Sequence, residues 1–239
     1  MTALQAAETS GTEEVDLAET PLRELNHRLH ELARGEGPRN WRVSHPDGAH
    51  AVACGLDADV EVEIEGHVGY YCAGMNKRAT VRVHGNAGTG VAENLMSGMV
   101  VVDGSASQSA GATGRGGLLV VRGDAAARCG ISMKGIDIVV RGSVGHMSAF
   151  MAQRGCLVVC GDAGDALGDS IYEAHLYVRG EVAGLGADCV EKELGEQHLA
   201  ALRGLLQRAS IDDIDPSSFR RYGSARRLYN FKVDNAGAY

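Results

Sequence analysis

Seven short segments of the chain share one alternation of apolar and polar positions: VEVEI, TVRVH, MVVVD, LLVVR, DIVVR, CLVVC and HLYVR. They are rich in β-branched residues and each leads into a glycine, which predicts a strand ending where the backbone turns or is crowded. The glycines Gly66, Gly85, Gly104, Gly123, Gly142, Gly161 and Gly180 follow one another at intervals of nineteen residues. Two residues before them stand Ile64, Val83, Val102, Val121, Val140, Val159 and Val178; four before them stand Val62, Val81, Val100, Leu119, Ile138, Leu157 and Leu176. With a side-chain period of two, these two columns form one buried face.

Small residues recur three after each glycine (Gly69, Gly88, Ser107, Ala126, Gly145, Gly164, Ala183) and seven after it (Ala73, Ala92, Gly111, Gly130, Ala149, Gly168, Ala187). They predict corners, where positive φ or a close backbone approach is needed. A coil that returns to the same register every nineteen residues is the unit of a solenoid. The expected fold is therefore all-β: a right-handed parallel β-helix of about seven coils, with short α-helices flanking it at the N- and C-terminal ends. Neither Gly66-His67-Val68-Gly69 nor Gly142-Ser143-Val144-Gly145 has the spacing of a dinucleotide-binding loop, so these glycines are read as structural corners.

The flanks divide the chain further. Residues 1–14 are expected to be a disordered tail, 15–59 an N-terminal helix and cap, 60–190 the β-helix, and 191–239 a C-terminal helix with a docking tail. In the first flank Thr20 and Pro21 read as cap and first turn, with Leu22, Leu25, Leu29 and Leu32 on one helical face. In the last, Leu194, Leu199, Leu202, Leu205 and Leu206 predict an amphipathic helix. The tail beyond it holds Arg220, Arg221, Tyr222, Arg226, Arg227, Tyr229 and Phe231, residue types that anchor interfaces or fold back over the rod's end. Both helices are expected to cap the open ends of the stack, whose unpaired backbone would otherwise recruit other chains.

The outward position three before each glycine reads Glu63, Arg82, Val101, Val120, Val139, Val158 and Tyr177. Its apolar middle, extended by Met99, Leu118 and Cys156, marks either an interface or the seat of the chain's own terminal helix. Eleven after the glycine, Lys77, Arg115 and Lys134 share a column, a basic stripe that is either solvated or meets an anionic partner. Val101, Val120, Val139, Val158, Tyr177, Arg115 and Lys134 are the candidate interface residues.

Composition removes several function classes. A net charge of −8 opposes nucleic-acid binding, and no apolar run approaches the roughly 20 residues that span a bilayer. The six cysteines contain no CxxC pair, and the start MTALQAAETSGTEE lacks the segments of a signal peptide, so reduced thiols and a cytoplasmic location are expected. His67, His84, His146 and His175 fall in different columns, and Cys156 and Cys160 are about 13 Å apart on one strand, so no metal site is expected. No serine or cysteine has a nucleophile context, and Glu61, Glu63 and Glu65 read as a solvated strand edge. No catalytic or cofactor-binding residue is assigned.

The glycine coils, the run GHVGYYCAGMNKRATVRVHGNAGTGVAENLMSGMVVVDG, the segment GISMKGIDIVVRGSVGHMSAFMAQ and the ending RRLYNFKVDNA together resemble the GXGXG β-helix domain of the glutamate synthase large subunit. The resemblance runs from about Leu17 to Tyr239 and is strongest to the stand-alone, GlxC-like form, which is similar to the β-helix subunit of N-methylglutamate synthase (methylamine–glutamate N-methyltransferase). A subunit of formylmethanofuran dehydrogenase resembles the coils alone. The resemblance implies a non-catalytic subunit of a heteromeric complex that makes N-methylglutamate from methylamine and glutamate and releases ammonia. The implied partners are a class II glutamine amidotransferase-like subunit and an FMN-binding glutamate synthase-like subunit, with FMN and an iron–sulfur cluster held by the partner. The alternatives are a β-helix subunit of a glutamine-dependent glutamate synthase and a free-standing ligand-binding or scaffold protein. None of the family's catalytic residues has a counterpart in this chain.

Overall fold

The computed structural model describes residues 11–33 and 37–228. In chain order the elements are β1 (Thr12–Asp16), α1 (Leu22–Glu31), β2 (Asn40–Ser44), β3 (Glu61–Glu65), β4 (Thr80–Val83), β5 (Met99–Val102) and β6 (Leu118–Val121). There follow β7 (Lys134–Val140), β8 (Arg154–Val159), β9 (His175–Val178), β10 (Cys189–Lys192), α2 (Glu196–Arg208) and β11 (Arg220–Ser224). The strands form one sheet in the order β1 to β9, then β11, then β10.

From β3 to β9 each strand pairs in parallel with the next, Val62 with Val81, Val81 with Val100 and onward, so the seven expected coils stack in the expected register. The inward columns are buried, with Val83, Val102, Val121 and Val140 fully enclosed. These side chains, together with Leu95, Met133 and Ile171 from the opposite wall, make a continuous interior core.

The stack starts earlier than residue 60. β1 pairs in parallel with β2 and β2 with β3, adding two coils whose lengths are set by Thr12 lying opposite Asn40 and Asn40 opposite Glu61. Both coils break the nineteen-residue period, the first because α1 is inserted in it; β2 ends at Ser44, and the next residue, His45, stands where the later coils have glycine. Part of the expected disordered tail is therefore strand β1. Eight steps at about 4.8 Å make the parallel stack roughly 38 Å long.

α1 forms where leucine spacing predicts it, burying Leu25 and Leu29 against the interior core. Asn26 locks it to the second coil, donating to the Ala51 carbonyl and accepting from the Ala53 N–H. Thr20 is not its cap; Pro21 occupies that position with no side-chain cap hydrogen bond.

α2 does not cap the far end. It lies along the side of the rod and presses Leu202, Leu205 and Leu206 onto the outer faces of β5 to β9. The stack ends instead in an antiparallel pair: β11 reverses direction against β9, and β10 pairs antiparallel with β11 as the last strand of the sheet. Arg141 fixes the return segment by a two-point ion pair to Asp213 at 3.0 and 2.7 Å, and Arg122 donates to the Ser210 carbonyl.

Most of the periodic glycines are not there for positive φ. Only Gly66 among the seven has it, at +135°. The others lie against the preceding coil: a Cβ on Gly123 would stand 2.9 Å from the Gly104 carbonyl oxygen and 2.5 Å from Ser105 Oγ. Positive φ belongs to the opposite wall, and there mostly to residues with side chains.

Candidate interface

Three surface features were candidates for recognition, and the fold separates them. The apolar outer strip is not open. Val120, Val139 and Val158 are completely buried and Val101 and Tyr177 nearly so, beneath α2, Ile211 and Phe219. The strip is the floor of a second core within the chain, because an amphipathic helix with a matching leucine stripe follows the last coil and reaches back over it. These five residues are therefore removed from the candidate interface. Glu63 and Arg82, beyond the helix, stay partly exposed; Arg82 pairs with Asp103, which also accepts from His84 Nδ1 at 2.8 Å, while His84 Nε2 meets Glu63.

The C-terminal arm folds back on its own rod as far as it is described. Tyr222 is buried in β11, Arg220 donates to the Gly180 carbonyl, and Arg226 pairs with Glu173 at 2.9 Å. Tyr229 and Phe231 lie outside the described residues.

The basic column is the feature left exposed. After each glycine from Gly66 to Gly161 the chain passes two overlapping turns in which alternate residues are left-handed, as at Arg128, Gly130 and Ser132 with φ of 62°, 69° and 51°. Their N–H groups point alternately to the coil above and the coil below: Arg128 to His146, Gly130 to Ala110 and Ser132 to Phe150. This pairing on both sides imposes the left-handed backbone on residues that rarely adopt it. Alternation sends Cys129 and Met133 into the core and leaves Lys134 outside.

The N–H of each residue in the basic column donates to the coil below, Arg115 to Leu95 and Lys134 to Gly114, both at 2.7 Å. Read along the rod, the column is Lys77, Met96, Arg115, Lys134, Gln153 and Tyr172, every one exposed. The sequence shows its cations but not three neighbours. β7 carries an irregularity that sets Lys134 opposite Arg154, one residue out of the nineteen-residue step, so Arg154 joins the ridge unannounced. Met75 and Met151, exposed at 55% and 44%, stand two residues before the column on the same wall.

Burial pushes the Cys72, Cys129, Cys156 and Cys189 thiols up to about 12 and Cys160 to about 11, so all five are protonated at neutral pH. Among the described residues no three of His, Cys, Asp and Glu gather where they could share an ion. The described residues therefore bring together no donor set for an iron–sulfur cluster. A shallow cavity of about 190 Å³ near the antiparallel end is lined by His175, Arg221, Lys192 and Arg226 among others. There the His175 ring lies 5.3 Å from that of His198 and within 3.4 Å of Arg221. Among the described residues no helix is long and apolar enough to cross a membrane.

Comparison with known proteins decides the family. No family model matches the chain. It is 64% identical over 225 residues to Protein GlxC of Rhizobium meliloti strain 1021, a match covering 94% of this chain and 99% of that protein. The chain belongs to the GlxC family. Since the alignment spans nearly all of both proteins, the family's shared unit takes in the rod, α1 and α2 together.

Proposed function

We propose that this chain is the non-catalytic assembly subunit of a heteromeric glutamate-synthase-like complex that makes N-methylglutamate from methylamine and glutamate, releasing ammonia. Its partners in this reading are a class II glutamine amidotransferase-like subunit and an FMN-binding glutamate synthase-like subunit that also holds an iron–sulfur cluster. The observation that carries the reading is a rod whose successive coils are joined by backbone hydrogen bonds and which has an exposed, patterned wall, in a member of the GlxC family. The resemblance of its coils to the β-helix domain of glutamate synthase supplies the reaction class.

The shape supports this physical role. Two active sites exchange a reactive amine efficiently only when their separation and orientation are fixed, and a rod with backbone bonds between every pair of coils provides that reference. The buried, protonated thiols agree with a subunit that positions rather than reacts.

The test is affinity purification of the full chain from its native cells, with a flavin spectrum and parallel assays on methylamine plus glutamate and on glutamine plus 2-oxoglutarate. A coloured multi-subunit complex active with methylamine is expected. Activity with glutamine alone would reassign the complex to glutamate synthesis, and a colourless monomer would overturn the assembly role in favour of a free-standing binding module.

A further inference from the structure

We infer that the ridge bearing Arg115, Lys134 and Arg154 is where an acidic face of a partner protein docks, its carboxylates meeting cations presented at the spacing of successive coils. The inference rests on the assembly role proposed above and deepens it by assigning the face and the charge of the partner.

The three cations come from three adjacent coils, Lys134 being bonded through its N–H to Gly114 and paired in register with Arg154. Their backbones therefore repeat at about 4.8 Å along the rod. All three side chains are exposed. None forms an ion pair with a carboxylate among the described residues. Elsewhere on the same surface Arg42, Arg78, Arg82, Arg141, Arg208 and Arg226 each have one. In a chain of net charge −8, three exposed cations in a row without an ion pair among the described residues offer an acidic surface a complementary line of charge.

The flanks of the ridge fit a protein surface rather than a small anion. Met96 lies one coil below Arg115, and Met151 and Tyr172 lie above Lys134, exposed at 38%, 44% and 38%. With Met75 these are four of the eight large apolar side chains exposed among the described residues, gathered in two columns of one wall. Methionine, tyrosine and arginine are the types enriched at the centres of protein interfaces, and here their side chains are exposed along one wall. Complementary charge along such a ridge sets register and speeds encounter.

The experiment uses the complex purified through the tagged full chain and treated with a carbodiimide, which joins a lysine amine directly to a carboxylate in contact with it. Lys134 is expected to be linked to an Asp or Glu of a different polypeptide. An Arg115→Glu/Arg154→Glu variant is expected to retain at least tenfold less of that polypeptide at moderate salt, with an unchanged melting curve, while the distant reversal Arg23→Glu retains it. Full retention by the double variant, or Lys134 linked only within its own chain or to a second copy of it, would overturn the inference while leaving the assembly role intact. Recovery of the chain alone from native cells would overturn both.

Discussion

Asp124 reaches across one coil to accept the backbone N–H of Ser143 at 2.8 Å. The bond belongs to a ladder in which the residue after each periodic glycine caps the same N–H of the next coil, from His67 to Asn86, Ser105, Asp124, Ser143 and Asp162, ending on Glu181. Each step satisfies a donor that the turn leaves without a strand partner. The capping atom also fills the space where a side chain on the neighbouring glycine would go, which explains why glycine recurs there without positive φ.

Gly142→Ala is therefore expected to be costly. Its Cβ would collide with the Asp124 carboxylate and stand 2.7 Å from the Gly123 carbonyl oxygen, a backbone atom held in the stack. A loss of about 1–3 kcal/mol is expected, as for overpacking in a rigid core. Combining it with Asp124→Ala should restore little, since the backbone contact remains. Denaturant midpoints of the two variants and the parent check this; a near-neutral Gly142→Ala would refute the close-approach role.

The opposite wall makes the opposite prediction. Ala149 is fully buried with φ of 56°, in a column that holds Gly111, Gly130 and Gly168 in other coils. Ala149→Gly removes a left-handed strain of about 1–2 kcal/mol, and loses about 0.8 kcal/mol of buried methyl plus roughly 0.5–1 kcal/mol of chain entropy. The variant is expected to unfold within about 1 kcal/mol of the parent, measured by the same denaturation.

The contrast shows how much of the fold was legible. The strands, their register and the inward columns could be read from nineteen-residue spacing because every coil from β3 to β9 keeps it. The first two coils could not, since the α1 insertion and the missing glycine at His45 hide their period. The left-handed wall was hidden for another reason. Arg128 and Ser132 carry no local preference for it, and the hydrogen bonds to neighbouring coils exist only once the stack has formed. The acceptor ladder was visible as a column of His, Asn, Ser and Asp residues, yet only geometry says what they accept. Of the candidate interface, the sequence placed Arg115 and Lys134 on one line but could not decide what covers Val120 and Val139, because α2 and the strip are separated by many coils' worth of chain.

That cover gives a further prediction. Leu206 of α2 is buried in the second core, and truncation of a buried leucine costs about 2–5 kcal/mol. Since this core lies outside the rod, Leu206→Ala should raise hydrogen exchange across α2 and the return segment while the amides of β5 to β8 stay protected. Val139→Asp should do the same more strongly by placing an unpaired carboxylate under the helix. Equal loss of protection in the interior coils would mean that rod and helix unfold as one unit.

The histidines predict a stability that falls at both edges of the neutral range. At His84 burial opposes protonation, but the hydrogen bonds to Glu63 and Asp103 outweigh it and hold the pKa above the ordinary value of about 6.5. Its contribution is complete below that ordinary value and disappears as pH rises through the raised one. At His175 burial, then Arg221 and His198, push the pKa down, and burial and Arg221 do the same at His198. Those two groups take up protons more readily in the unfolded chain, so they cost stability as pH falls from about 6.5 through their lowered values. Imidazole titration by NMR should place His84 above and His175 and His198 below the ordinary value. His84→Gln should flatten the loss on the alkaline side and His175→Gln the loss on the acid side. A His175 that titrates normally would show that the antiparallel end is open to solvent, contrary to the packing of His175 between Arg221 and His198.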